Sequence, residues 1–167
     1  MRFQPAGATE DAINPIDLLE ELVAANEWAF DRSSEHELVV ETLGRWCDYR
    51  MFFVWREDLD ALYLTCALDT RVPDDKRRAV MELLCLVNEK VWLGHFDISS
   101  AERMLFFRYT MLNRGFPAPT FEQLEDLVDI ALAECERFYP ALQFVVWAGN
   151  SPEEAVASAM LETVGEA

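Results

Sequence analysis

The chain has 167 residues, enough for one domain with its own core and no need of a disulfide or metal staple. Apolar residues make up 51% and aromatic residues 12%, a composition that excludes disorder. Thirty-one acidic residues against fourteen basic ones give a net charge of −17, a field that repels phosphate backbones and anionic lipid, so neither nucleic acid nor membrane is an expected partner.

Residues 1–13 carry no apolar signal core and turn acidic at Glu10, so they read as a flexible tail before a single α+β domain over 14–164. The longest apolar stretch, Ala141 to Gly149, falls far short of the ~20 residues of a membrane span. A cytoplasmic location is expected. Asn14-Pro15 opens a first helix, with Asn as N-cap and Pro where no amide is needed. Ile16, Leu19, Leu22 and Val23 recur on one face, and the helix ends near Asn26. Trp28 and Phe30 then form a short extended entry. Glu37 to Leu43 and Tyr49 to Arg56 alternate as strands about a turn at Gly44, and Ala61 to Leu68 follows as a third strand after the acidic turn at 57–60.

Pro73-Asp74-Asp75 starts a second helix, whose stripe is Val80, Leu83, Leu84, Val87 and Val91, with Gly94 as a left-handed C-cap. His95 to Ser99 and Arg103 to Leu112 pattern as a second hairpin. Thr120-x-x-Gln123 is a capping box opening a third helix along Leu124, Leu127, Val128, Ala131, Cys135 and Phe138. Pro140 predicts a break or kink, with Ala141 to Trp147 continuing as helix. Ser151-Pro152-Glu153-Glu154 caps a last helix to about Thr163. The order α-βββ-α-ββ-αα predicts an antiparallel sheet of about five strands with helices packed on one face.

No glycine-rich phosphate loop, nucleophile elbow or metal-binding histidine pair occurs, so no cofactor is expected. Cys47, Cys66, Cys85 and Cys135 are too scattered for a zinc site; the last three fall in phase with apolar neighbours, as small buried hydrophobes do, and all four are read as reduced thiols. Asn88 falls on the stripe of the second helix, where its amide ties the helix to nearby backbone or, in the sharper reading, orients a ligand. His95 with Asp97 could serve acid–base chemistry or be a plain turn residue. Arg108 stands mid-strand with a purely apolar set, Leu105, Phe107, Tyr109 and Met111, on the opposite side. The second face then gathers Arg50, Phe52, Val54, Arg56, Tyr63, Thr65, Phe106 and Arg108, with Glu37 and Glu41. Such a face is either a solvated surface with arginines lying over rings or a protein-binding surface, since aromatics and Arg are enriched at interface cores.

Several residues in order carry a resemblance: Trp28, Arg45-Trp46-x-x-Tyr49-Arg50, Trp55, Asn88-Glu89, Gly94-His95-Phe96, Arg108, Cys135-Glu136-Arg137-Phe138-Tyr139-Pro140-Ala141, Trp147 with Gly149, and Ser151 to Ala155. From about Asn14 to Leu161 the chain resembles the YbjN-type bacterial family of sensory transduction regulators. The resemblance implies a fold like that of the type III secretion chaperones, homodimers, no established enzymatic activity and no cofactor. The expectation is therefore a non-enzymatic adaptor or chaperone-like regulator that binds a protein or peptide. The alternative is a small enzyme or ligand sensor with a pocket around Asn88, His95 and Arg108.

Overall fold

The computed structural model describes residues 13–116 and 118–164, except the side chains of 162–164. The expected tail, residues 1–13, therefore lies outside them apart from Ile13. Helix α1 runs Pro15–Ala25, and Asn14 Oδ1 accepts the Ile16 amide at 2.9 Å, the N-cap bond its sequence predicts. The strands are β1 (Ala29–Ser34), β2 (Glu37–Leu43), β3 (Asp48–Arg56), β4 (Ala61–Arg71), β5 (His95–Ile98) and β6 (Met104–Leu112). They form one six-stranded sheet in the order β1-β2-β3-β4-β6-β5, antiparallel at every step. The strand beyond the expected five is β1, which looked like a short extended entry. As an edge strand it exposes side chains to both sides, so no apolar alternation marks it.

The remaining helices are α2 (Arg77–Asn88), α3 (Phe121–Gln143) and α4 (Pro152–Val164). Two features of α2 depart from expectation. It stops at Asn88, so Val91 leaves the helix and Gly94 is not its cap. Gly94 instead enters β5 with φ +74°, where any Cβ would collide with the Phe107 ring and approach the Arg108 carbonyl to 2.8 Å. The buried stripe narrows to Val80, Leu83 and Val87, and Cys85 is exposed on the other side. In α3, Pro140 lies inside the helix without ending it; the backbone widens only afterwards, into a π-helical turn over Phe144–Ala148 closed by Gly149 at φ +73°. The capping boxes at Thr120 and Ser151 both form, the first with bonds of 2.9 and 3.2 Å.

One face of the sheet carries the core. Leu38, Val40, Tyr49, Met51, Phe53, Leu62, Leu64, Cys66, Leu105 and Phe107 are buried there with Ile16 and Leu19 of α1 and Leu124, Val128 and Ala131 of α3. Burying a large apolar side chain is worth roughly 1.5–3 kcal/mol, so this layer dominates stability. Polar bonds fix how α3 lies on it. Tyr139 and Thr70 share a buried hydrogen bond of 2.7 Å, and Glu136 Oε1 accepts the Arg45 amide at 2.8 Å. Phe138 packs edge-on against Phe96 with ring centres 6.0 Å apart. The segment Cys135 to Pro140 therefore joins helix to sheet.

Candidate functional site

The opposite face of the sheet, here the outer face, has its composition dictated by strand register. One row across it runs Glu41, Arg50, Ala67, Phe106, Asp97. The next runs Val39, Phe52, Thr65, Arg108, His95, and the third Glu37, Val54, Tyr63, Thr110. All six residues expected to form a protein-binding face, Arg50, Phe52, Arg56, Tyr63, Phe106 and Arg108, therefore share this side. Val39, Phe52, Val54, Tyr63 and Thr65 are half-buried.

Each arginine of the face has an acidic partner. Arg50 bonds Glu41 at 2.6 Å, Arg56 bonds Asp58 at 2.8 Å, and Arg108 reaches Asp97 at 3.3 Å. The Arg56 guanidinium holds the Asp58 carboxyl below the usual carboxylate range. Arg108 also lies over the Phe106 ring at 5.3 Å, and its Nε is buried without a hydrogen-bond partner among the described residues. Phe106 departs from expectation in one respect. It is only 7% exposed, shielded within its own chain, so Phe52 and Tyr63 are the accessible rings.

The three residues of the alternative pocket are neighbours, but they do not converge. His95 is the direct register partner of Arg108 on the outer side. Asn88 is occupied with the backbone of the next residue: its Nδ2 donates to the Phe96 carbonyl at 3.0 Å, and its Oδ1 accepts the Phe96 amide at 2.7 Å. That two-sided bond holds the end of α2 against the edge strand β5, as an amide tying helix to backbone would.

Elsewhere burial acts on several thiols and hydroxyls. Burial pushes the Cys47 thiol and the Tyr49 and Tyr139 hydroxyls up, and the Cys66 thiol 3.9 Å away, together with burial, raises Cys135. A thiol raised in this way is a poor nucleophile. Among the described residues no group of three or more His, Cys, Asp or Glu is gathered as a metal ion requires.

Sequence reasoning missed a concavity of about 830 Å³ at one end of the outer face. Trp28, Phe52, Ala67, Met104 and Phe106 supply apolar lining, with Glu27, Asp48, Asp69 and Glu102 among the polar residues. The register of β4 against β6 shifts between Leu68 and Arg71, and such an irregularity bends a strand. Neither this hollow nor a smaller one by Arg71 and Arg103 includes Asn88, His95 or Arg108. The only advance signal was Trp28 beside Glu27, which gains meaning once β1 joins the sheet.

No curated protein matches the chain significantly. Among solved structures, the fold is similar to the crystal structure of "YbjN, a putative transcription regulator from E. coli", with a TM-score of 0.53 and 10% identity, covering 72% of this chain and 85% of that one. The family model for YbjN, described as "Putative bacterial sensory transduction regulator", matches residues 15–144. With most of its length spanned by that match, the chain belongs to the YbjN family.

Proposed function

We propose that this chain is a regulator that works by binding protein, with no chemistry of its own, and that it pairs with a second copy of itself through the outer face. The carrying observation is that face's combination of half-buried Val39, Phe52, Val54 and Tyr63 with arginines already neutralised by Glu41, Asp58 and Asp97. In a chain of net charge −17, two copies repel almost everywhere; a locally balanced, partly apolar patch is where they can meet. A two-fold pairing places the same patch on both sides, so Phe52 and Tyr63 of each copy gain apolar contact. The family's description as a regulator agrees with a role in recognition.

Sedimentation equilibrium tests the pairing. The wild-type chain should sediment at about twice its 19.2 kDa mass, and Tyr63→Ala combined with Arg108→Glu should sediment as the monomer with native far-UV circular dichroism. A wild-type chain that stays monomeric at high concentration would remove the proposal.

A further inference from the structure

The hollow at the Trp28 end of the outer face has a chemistry of its own. Its apolar lining comes from Trp28, Phe52, Met104 and Phe106, and about it stand Glu27, Asp48, Asp69 and Glu102. None of these four carboxylates has an ion-pair partner among the described residues. The cation of the lining, Arg50, is already bonded to Glu41 at 2.6 Å. The hollow thus offers uncompensated negative charge beside an apolar floor. Its volume of about 830 Å³ lies inside the range of roughly 300–1,000 Å³ over which pockets bury whole ligands.

We infer that this hollow docks a cationic, apolar segment of a partner protein, one in which arginine or lysine side chains alternate with large apolar ones. An extended segment turns successive side chains to opposite sides, so the apolar set can settle on the Trp28 and Met104 end of the hollow, beside the Phe52 ring of the pairing face. The long basic side chains of the other set then reach outward to the carboxylates. The same field repels phosphate and acidic peptides. The carboxylates are not gathered as a metal ion requires, and their spread suits charges distributed along a chain. The inference rests on the reading of the outer face as a protein-binding surface, but it uses residues apart from Tyr63, Arg56 and Arg108.

The test is fluorescence anisotropy of the full chain with a labelled, end-blocked peptide of alternating arginine and leucine. Saturable binding that weakens with salt is expected. Asp48→Asn with Asp69→Asn should weaken it about tenfold, the effect of losing two exposed charge pairs. Glu125→Gln with Asp129→Asn, which removes equal charge from the exposed side of α3, should leave it unchanged. Equal loss in the two double variants would mean that the peptide reads only net charge, and would overturn the assignment. So would binding of a glutamate–leucine peptide, displacement by spermine as effective as by the unlabelled peptide, or no saturable binding. The Tyr63→Ala/Arg108→Glu chain should bind the peptide as the wild type does; loss there would relocate the site and overturn the inference. A monomeric wild type that still binds through Asp48 and Asp69 would refute the pairing and leave the hollow's role standing.

Discussion

Phe106 and Phe107 are neighbours on β6, and their rings leave the sheet on opposite sides. Phe107 is fully enclosed in the apolar layer of the inner side, with Phe96 edge-on at 5.4 Å. Phe106 is nearly as inaccessible, and over its ring lies the Arg108 guanidinium, held in turn by Asp97. On the inner side burial is achieved by a second layer of secondary structure. On the outer side a long polar side chain lies over the ring, and such a cover can move aside. Low exposure alone therefore does not distinguish the core from the outer face; the nature of the covering atoms does.

The largest expected effect falls on the inner side. Phe107→Ala should cost about 3–5 kcal/mol, read as a lowered urea midpoint, because the cavity lies between fixed layers. Phe106→Ala should cost clearly less, since Arg108 and solvent can settle into the space. Equal losses would show that the outer face is packed as firmly as the core, and would break the comparison.

A smaller effect is expected where the inner layer meets the edge of the sheet. Asn88→Ala removes both bonds to the Phe96 backbone and leaves a partly buried amide and carbonyl unsatisfied, at about 1–3 kcal/mol. Hydrogen exchange should speed up first along His95–Ile98. A variant with wild-type melting and unchanged exchange would contradict the structural role of that amide.

The smallest effect concerns Glu134, buried on α3 with Oε2 unpartnered among the described residues. Burial raises its carboxyl pKa against the opposing pull of Arg137. The folded chain thus holds this proton more tightly than the unfolded chain does. The stability it contributes is full below the unfolded pKa and is lost as pH rises through the folded value. Glu134→Gln should therefore melt above wild type at neutral pH, with the gap closing as the medium is acidified. A gap that widened in acid would mean that Arg137 governs the site.

The α+β class, the helix starts at Asn14, Thr120 and Ser151, and the grouping of Arg50, Phe52, Arg56, Tyr63, Phe106 and Arg108 on one face were all legible from the residues. They depend on local capping bonds and on the two-residue period of a strand, both written into adjacent positions. The edge strand β1, the early end of α2, the exposure of Cys85 and the hollow beside Trp28 were not. Each depends on what lies across the sheet or beneath a helix. β1 is a strand because Glu37–Leu43 pairs with it, and α2 can stop at Asn88 because Phe96 answers that side chain. The hollow exists because Glu27, Asp48, Asp69 and Glu102, far apart along the chain, come together around one bent end of the sheet. The sequence alone determined which side chains share a face. The tertiary structure decided which face the helices pack against and where the charges of the other gather, because layer packing and sheet curvature arise only from contacts between distant segments.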